Sequence, residues 1–337
     1  METGIASVVA GIGACLPPRI VHNADYPSLG LDVSDEWIRT RTGIERRHWV
    51  TPGTSSGDLA VTAARAALRS ADEPEVDLVI LTTTTPDHHS PATAPWVAAQ
   101  LGLGLVPAFD MAAACAGFVY GMAAADSWIK AGGAERVLVV ASDTLSTVTD
   151  PTDQATAVVF ADGAGAVVLR RGLQGEAGAV RAIRLGSDGT QQRLAIIHAG
   201  GSRNPGPTAT APPADRSLRM QGKDMFAHAV RRMTESSRSL LESVGWPVES
   251  VGAFIGHQAN QRILDKVADL VGFGADARFG NIREVGNTSS ASIPLVMDGL
   301  IARQAVTPGT RTLLTAFGGG AVWGSVALSW PKIEDYE

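Results

Sequence analysis

The order of apolar runs and helical stretches constrains most strongly what this chain can fold into. Continuous apolar runs alternate with stretches in which apolar residues recur at helical spacing. Residues 76–85 (VDLVILTTTT) predict a buried strand, residues 95–103 predict a helix, and residues 136–143 predict a second strand. Apolar runs without polar alternation are typical of strands covered on both faces, so the sequence predicts an α/β fold with buried strands.

The second half of the chain repeats the order of the first half. In both halves a buried strand is followed by a helix, a short extended segment, a second helix and a second buried strand. Self-similarity over so long a period indicates a duplicated architecture, although chance repetition of a common pattern is the alternative. The two halves are predicted at residues 1–172 and 173–337. The second-half elements are predicted at residues 251–256, 260–272, 278–280, 287–305 and 311–317.

The spacing within the repeat indicates which residues occupy equivalent places. Val76 precedes Cys115 by 39 positions, and Val251 precedes Asn287 by 36. Cys115 and Asn287 would each stand where a helix begins after a strand. We therefore expect these two residues at matching helix starts that face each other across the centre of the molecule.

Two further segments lie between these elements. Residues 157–170 (AVVFADGAGAVVLR) predict two strands joined by a turn at residues 162–165 (DGAG). Residues 200–215 are rich in Gly, Pro and Ala and predict a loop. Because the alternating pattern resumes directly afterwards, this loop is interpreted as a flap over a site rather than as a linker between domains.

Composition excludes several classes of protein. The 337 residues are 45% hydrophobic and 18% charged, and the net charge of −6 provides no broad footprint for nucleic acid. No uninterrupted apolar run is long enough to span a bilayer, and the first residues lack the basic segment of a secretory signal. Cys15 and Cys115 are the two cysteines, and no Cys/His pattern has zinc-ligand spacing. We expect a cytoplasmic protein without disulfides or metal that binds neither nucleic acid nor membrane.

Cys115 is the first candidate catalytic residue. It lies among small residues in the segment 109–118 (FDMAAACAGF), between an apolar strand and a long helical pattern. The positive end of that helix would favour the thiolate, which is the nucleophilic form of cysteine. The alternative is a thiol that only packs as a small hydrophobic group.

Three later segments complete a candidate site. His257 follows a strand, at the edge of the sheet where ligands gather in α/β folds. Asn287 precedes a helix, and the run 317–320 (FGGG) offers bare backbone N–H groups to an oxyanion. Each has a structural alternative: a histidine satisfied in the core, an asparagine that only caps the helix, and glycines that form a bulge.

Six sequence motifs, taken in this order, resemble those of the β-ketoacyl-acyl carrier protein synthases III of the thiolase superfamily. The resemblance covers nearly the whole chain. The motifs are residues 34–44 (SDEWIRTRTGI), 114–118 (ACAGF), 162–165 (DGAG), 257–260 (HQAN), 286–288 (GNT) and 317–320 (FGGG).

The resemblance implies a fold and a mechanism. The fold would be a duplicated, thiolase-like, five-layered αβαβα arrangement, and the protein would be a homodimer. Cys115 would take the acyl group of an acyl-CoA primer while the N–H groups of Cys115 and Gly319 hold the oxyanion. His257 and Asn287 would donate hydrogen bonds to the thioester carbonyl of malonyl-acyl carrier protein, which loses CO₂ and attacks the acyl-Cys. No cofactor would be permanently bound, since the coenzyme A thioester is a substrate.

The resemblance also implies contacts around this site. For Trp37, stacking on a nucleotide base competes with a role as a hydrophobic anchor, and for Arg41, pairing with phosphate competes with an ordinary solvated position. The residues expected to contact CoA or the acyl group are Trp37, Arg41, Gln154, Ser90, Phe226 and Ala259. The residues expected to meet the acidic carrier protein are Arg262, Arg231 and Arg232.

Three positions depart from the family pattern. Gln154 stands where the family usually has an arginine that packs on the adenine, and Ala227 replaces a basic residue of some members. Ser90 stands where some members have a bulky aromatic residue that reaches into the partner subunit's acyl pocket. These differences favour a specialised member that accepts branched or longer primers, such as one that initiates polyketide synthesis.

Three other functions compete with condensation. A non-condensing acyltransferase would move the acyl group from Cys115 to an alcohol or amine and would need no enolate site. A Cys-His-Asn hydrolase acting on peptides fits the residue types but not the duplicated layout. A catalytically inactive subunit would not need all three residues.

Overall fold

The computed structural model describes residues 4–72, 75–205 and 213–333, and it contains two five-stranded sheets and two short ribbons. The strands are β1 Ile5–Cys15, β2 Arg19–His22, β3 Arg46–Trp49, β4 Leu78–Thr82, β5 Ala108–Met111, β6 Arg136–Thr144, β7 Asp162–Leu173, β8 Val180–Ser187, β9 Ala195–Ile196, β10 Arg219–Met220, β11 Ala253–Gly256, β12 Arg278–Phe279, β13 Arg311–Gly318 and β14 Val322–Ser329.

Helices connect and cover the strands. The α-helices are α1 Asp35–Thr42, α2 Ser56–Ser70, α3 Ala94–Gln100, α4 Gly117–Lys130, α5 Gln154–Ala157, α6 Pro213–Arg216, α7 Gly222–Ser243, α8 Gln261–Val271, α9 Ile282–Val285 and α10 Ser292–Ala302. The 3₁₀ helices are Asn23–Leu29, Ala114–Ala116, Leu145–Val148, Gly189–Leu194, Val248–Ser250, Ala275–Ala277 and Ser289–Ala291. No helix in the described ranges has the length and apolar character needed to cross a membrane.

The two large sheets have the same topology. The first has the order β1-β7-β6-β4-β5, and the second has the order β8-β14-β13-β11-β12. In the first sheet β5, β4 and β6 are parallel and the β6–β7 and β7–β1 pairs are antiparallel. In the second sheet β12, β11 and β13 are parallel and the two remaining pairs are antiparallel. The predicted α/β fold and the duplication of its strand order are confirmed.

The sheets and helices form five layers. Helices α4 and α10 lie between the sheets and share one apolar core with both, through residues such as Met122 and Met297. Helices α2 and α3 cover the outer face of the first sheet. Helices α7 and α8 cover the outer face of the second. Each sheet is therefore buried on both faces, as its uniformly apolar strands require.

Local capping explains the bounds of helix α8. The Asn260 side chain accepts a hydrogen bond from the Arg262 N–H, and Gly272 ends the helix with φ +103°. An asparagine satisfies a free N–H at a helix start, and glycine adopts a left-handed conformation without steric cost. The predicted range 260–272 therefore contains the helix and both of its caps.

The repeat has a different register from the predicted one. Cys115 is the middle residue of the 3₁₀ turn before α4, and Ser290 is the middle residue of the 3₁₀ turn before α10. The preceding residues, Ala114 and Ser289, have similar positive φ angles of 45° and 53°. Cys115 thus matches Ser290, which follows Val251 by the same 39 positions that separate Val76 from Cys115. The prediction that Asn287 is the match was wrong by three residues, because the helix starts at Ser292 rather than at Asn287.

The predicted hairpin at 157–170 is also wrong. Residues 162–173 form the single strand β7, which pairs with both β1 and β6. Its glycines admit a helix instead of forming a turn, since a Cβ at Gly165 would lie 2.7 Å from the ring atoms of Pro294. Of the predicted loop 200–215, residues 206–212 lie outside the described ranges, and the described remainder includes the start of α6.

Candidate active site

Cys115, His257 and Asn287 line one cavity of about 720 Å³. The three residues follow different strands, and the strand topology brings them together. The walls are mainly apolar and include Leu145, Val148, Val159, Phe160, Leu218 and Met220. A thiol, an imidazole and a carboxamide therefore share one space in which a thioester and an acyl chain can be shielded from water.

The Cys115 turn is held by close backbone packing. It begins at Ala114, whose positive φ re-aims the chain between β5 and α4. A Cβ at Gly318 would lie 2.7 Å from the Cys115 nitrogen, so this position has no room for a side chain. Gly318, Gly319 and Gly320 all line the cavity beside the thiol. The glycine run therefore lets the main chain approach the nucleophile, while the role of its N–H groups in holding an oxyanion stays a prediction.

Burial dominates the electrostatics of the thiol. It raises the pKa of Cys115 to about 12. A hydrogen bond from the Ser289 hydroxyl, 3.6 Å from Sγ, opposes this shift, while the negative charge of Asp143 adds to it. Desolvation of the sulfur outweighs its hydrogen bonds in this balance, and the expectation that the helix start favours the thiolate stays a prediction.

His257 is buried and neutral. Its side chain is 1% exposed, and burial lowers its pKa to about 3. The ring Nδ1 lies 2.6 Å from the Ser292 hydroxyl oxygen. The backbone N–H of His257 donates to the Thr315 carbonyl at 2.8 Å. An uncharged imidazole at this place is suited to hydrogen bonding and poorly suited to act as a base near neutral pH.

Asn287 is held by its main chain and its side chain. Its N–H donates to the Val159 carbonyl at 3.1 Å, and its carbonyl accepts from the Ala161 N–H at 2.8 Å. Its Oδ1 accepts from the Ser289 N–H at 2.9 Å. This bond is an Asx-type turn that precedes the 3₁₀ turn, whose N-cap is Thr288, so Asn287 is not the cap of the following helix. The same bond occupies Oδ1 and leaves the Nδ2 group as the donor for a ligand in the cavity.

Asp143 forms hydrogen bonds to both halves of the chain near Cys115. It is fully buried at the end of β6. Its Oδ1 accepts from the N–H and hydroxyl of Thr84, and its Oδ2 accepts from the N–H and hydroxyl of Ser290. Ser290 is the structural counterpart of Cys115, so this carboxylate ties the Ser290 turn of the second half to the residues that follow β4 in the first half. Its charge is stabilised by several donors at once.

Most of the predicted binding residues lie around the same cavity. The Arg41 guanidinium carbon lies 4.3 Å from the centre of the Trp37 ring, so one face of the indole is already covered. Arg262 lies over the Phe226 ring at 5.8 Å. The predicted residues that line the cavity besides the three catalytic candidates are Gly319, Trp37, Arg41, Gln154, Phe226, Ala259 and Arg262.

Three predicted residues lie away from the cavity. Ser90 is exposed and does not line it, although the resemblance assigns this position to the pocket of a partner subunit. Arg231 is exposed on α7 and does not line it either. Arg232 contacts Glu235 at 3.1 Å and lies over the Trp323 ring at 4.5 Å, so its guanidinium already has contacts within the chain.

Sequence reasoning missed four residues of the site. Ser289 contacts the Cys115 sulfur, Ser292 contacts His257, and Asp143 accepts hydrogen bonds from Ser290. Lys223 lines the mouth of the cavity at the start of α7. The serine-rich run after Asn287 was a visible signal for the first two. In the ranges that the structure describes, no three His, Cys, Asp or Glu side chains converge as metal ligands would.

The duplicated α/β architecture and the Cys-His-Asn cavity between its halves define an acyltransferase of the thiolase-fold class. Family models for 3-oxoacyl-[acyl-carrier-protein] synthase III and for its C-terminal part match residues 109–189 and 241–330. The chain belongs to the β-ketoacyl-[acyl-carrier-protein] synthase III family, and the resemblance predicted from its motifs is confirmed.

Full-length relatives support this assignment. Beta-ketoacyl-[acyl-carrier-protein] synthase III 3 of Streptomyces coelicolor is 51% identical over 98% of both chains. The synthase III of Pseudomonas aeruginosa is 47% identical over 97% of this chain and 98% of that protein.

Solved structures agree with the fold. A crystal structure of 3-oxoacyl-(acyl carrier protein) synthase III from Pseudomonas aeruginosa has 45% identity and a TM-score of 0.91, covering 98% of this chain and 100% of that one. The priming β-ketosynthase of the R1128 polyketide biosynthetic pathway has 34% identity and a TM-score of 0.91, covering 99% and 98%. The solved structures similar to this chain therefore include both a synthase named for acyl carrier protein and a polyketide-priming enzyme.

Proposed function

We propose that this chain catalyses decarboxylative Claisen condensation of an acyl-CoA primer with malonyl-acyl carrier protein and so initiates fatty-acid or polyketide synthesis. The observation that carries the proposal is that Cys115, His257 and Asn287 open onto one apolar cavity. Residues 1–172 would supply the nucleophile, and residues 173–337 would supply the two donors. The names of the related synthases and of the priming ketosynthase support the same reaction.

In the first step Cys115 would take the acyl group. Its sulfur forms a bond to the thioester carbonyl carbon, and the carbon–sulfur bond to CoA breaks. The proton lost by the Cys115 thiol is balanced by the proton that the released CoA thiolate takes up. The N–H groups of Cys115 and Gly319 would hold the oxyanion of the tetrahedral intermediate. Covalent storage on the enzyme divides one difficult reaction into two easier ones.

In the second step the acyl-Cys would be condensed. Malonyl-acyl carrier protein loses CO₂, and the electron pair of the broken bond forms an enolate on its thioester. His257 and the Nδ2 group of Asn287 would donate hydrogen bonds to the enolate oxygen. The carbanion then forms a bond to the acyl carbon, the bond from that carbon to the Cys115 sulfur breaks, and the released thiolate takes a proton from solvent to restore the thiol. Two neutral donors suit a developing negative charge better than a carboxylate would.

Substrate binding would combine an apolar cavity with a cationic mouth. Arg41, Lys223 and Arg262 line the cavity and can meet the phosphates of CoA or the phosphopantetheine of a carrier protein. Gln154, in the place of the family's arginine, contributes no charge there. CoA would be a substrate, and no permanently bound cofactor enters the proposed mechanism.

Partners follow from the exposed surfaces. An acidic carrier protein would dock near Arg262 and Arg231, with Arg232 a weaker contributor because it already pairs with acidic residues. A homodimer is supported by the outer position of β5 in its sheet and by the nearby exposed side chains of Leu105 and Trp96. A cytoplasmic location remains a prediction from composition.

Separate assays of the two half-reactions test this function. Intact-mass measurement after exposure to a panel of acyl-CoAs should show one adduct on the wild type and none on Cys115→Ala. Incubation with malonyl-acyl carrier protein should then release CO₂ and form a β-ketoacyl product. Acylation followed by transfer to an alcohol or amine, without CO₂ release, would instead support the non-condensing acyltransferase. A wild-type protein that forms no Cys115 adduct would overturn both.

A further inference from the structure

Ser292 lies directly behind the imidazole of His257. Its hydroxyl oxygen is 2.6 Å from Nδ1 of the ring and 3.2 Å from the backbone nitrogen of Gln258. Ser292 and His257 are each 1% exposed. The serine is the first residue of α10, a helix packed between the two sheets, so its position is fixed by the core.

The hydrogens of this group can be assigned by counting donors. The Gln258 N–H can only donate, so the Ser292 oxygen is its acceptor. The hydroxyl has one hydrogen of its own, and among its described contacts Nδ1 is the one atom able to accept it, so we assign the hydroxyl as the donor to Nδ1. The neutral ring then carries its hydrogen on Nε2, because a neutral imidazole has one donor and one acceptor nitrogen.

The surroundings of the group limit other arrangements. The Gln258 side chain donates to the Gly256 carbonyl at 2.7 Å and accepts from the N–H groups of Asn281 and Ile282. The backbone N–H of His257 donates to the Thr315 carbonyl at 2.8 Å. Because the main chain on both sides of the ring is held, the ring can turn mainly about its own side-chain bonds, and Ser292 restrains that rotation.

We propose that Ser292 is a positioning residue that fixes His257 as the Nε2–H tautomer, with that N–H available to the cavity as a hydrogen-bond donor. The inference rests on the proposed function only for the identity of the acceptor, which would be the enolate oxygen of the decarboxylated malonyl thioester. Ser292 touches no substrate in this role and acts through the imidazole. Without its hydroxyl, Nδ1 loses its donor and the ring can adopt the other tautomer or rotate.

The first test reads the tautomer directly. Protein labelled with [¹⁵N]histidine has seven histidines, and comparison with His257→Gln identifies the signals of His257 in two-dimensional ¹H–¹⁵N long-range spectra. Wild type and Ser292→Thr, which keeps the hydroxyl, should show the Nε2–H tautomer. Ser292→Ala should show a mixture or the Nδ1–H form. An Nδ1–H tautomer in the wild type, or an unchanged tautomer in Ser292→Ala, would overturn the proposal.

The second test separates the half-reactions. Ser292→Ala should acylate Cys115 at nearly the wild-type rate. It should release CO₂ at least about tenfold more slowly, up to the roughly 10²- to 10³-fold loss expected for a missing oxyanion donor. The loss should lie in kcat more than in KM, and Ser292→Thr should restore most of it. Equal slowing of both half-reactions, or CO₂ release at the wild-type rate, would count against a positioning role.

A matched control separates this role from the general cost of removing a buried hydroxyl. Ser237 is a fully buried serine of α7 whose hydroxyl has no partner among the described residues, so Ser237→Ala should leave both the tautomer and CO₂ release unchanged. If Ser292→Ala does not fold, the wild-type spectrum and Ser292→Thr still decide the tautomer. If the wild type releases no CO₂, the proposed function fails while the spectrum continues to test the inference.

Discussion

The Ser289 hydroxyl and the Cys115 sulfur lie 3.6 Å apart although 174 positions separate them in the chain. Each belongs to a 3₁₀ turn that precedes one of the two helices between the sheets. The contact therefore joins the pseudo-equivalent turns of the two halves, and the nucleophile depends on both halves for its surroundings.

Removal of either the His257 imidazole or the Asn287 carboxamide should slow condensation and leave acylation of Cys115 intact. His257→Ala and Asn287→Ala should each reduce CO₂ release from malonyl-acyl carrier protein by about 10²- to 10³-fold, because each removes one donor to the enolate. Acylation of Cys115, followed by intact mass, should remain. Loss of the Cys115 adduct in correctly folded variants would show that these residues act in the first step instead.

The reactivity of Cys115 should rise steeply with pH. Its pKa of about 12 leaves the thiolate rare near neutrality, so its alkylation rate should increase about tenfold per pH unit between about pH 6 and 9. The measurement is the rate of iodoacetamide modification in a Cys15→Ala background, with the double variant Cys15→Ala/Cys115→Ala as the blank. A rate that levels off near pH 7 would indicate that the helix start lowers the pKa more than burial raises it.

Acid should destabilise the fold partly through His257. The folded pKa of about 3 lies below the unfolded value near 6.5, so the unfolded chain binds the additional proton in this interval. The contribution of His257 to stability is fully present above about pH 6.5 and decreases by a few kcal/mol as the pH falls toward 3. Denaturant unfolding at several pH values should show a shallower decline for His257→Gln. The same decline in both proteins would assign acid sensitivity to other groups.

The position of Ser90 should control primer length across a dimer interface. Ser90 does not line the cavity of its own chain, so direct contact between this side chain and a primer would have to occur in the cavity of a second copy. Ser90→Phe should lower kcat/KM for branched or longer acyl-CoAs by about tenfold or more relative to acetyl-CoA. Ser90→Ala is the control that preserves the space. An unchanged ratio in Ser90→Phe would contradict the assignment of this residue to a partner's pocket.

Close packing of α10 on β7 should make Gly165 intolerant of substitution. A Cβ there would lie 2.7 Å from Pro294, whereas a Cβ at Gly175 would meet nothing within 4 Å. Gly165→Ala should therefore reduce the free energy of unfolding by about 1–3 kcal/mol. Gly175→Ala, measured in the same denaturant titration, should change it little. An equally small change in the free energy of unfolding for both variants would show that helix α10 can move aside.

Much of the architecture could be predicted because it is encoded locally. The apolar runs determined the central strands of both halves, since an uninterrupted apolar segment is stable only when both of its faces are covered. Asn260 and Gly272 determined the ends of α8 through capping and a left-handed backbone. The glycines at 162–165 were misinterpreted because a glycine that admits a neighbouring helix and one that permits a turn look the same in sequence.

For the site, the sequence alone identified Cys115, His257 and Asn287 as candidate catalytic residues. It also showed the resemblance of their motifs to those of one family. Only the tertiary structure decided that they share a cavity, that Ser290 is the counterpart of Cys115, and that desolvation raises the pKa of the thiol. It also decided that Ser292 stands behind the imidazole. These properties depend on distances between residues far apart in the chain and on how much water reaches each group, which no local pattern of residues specifies.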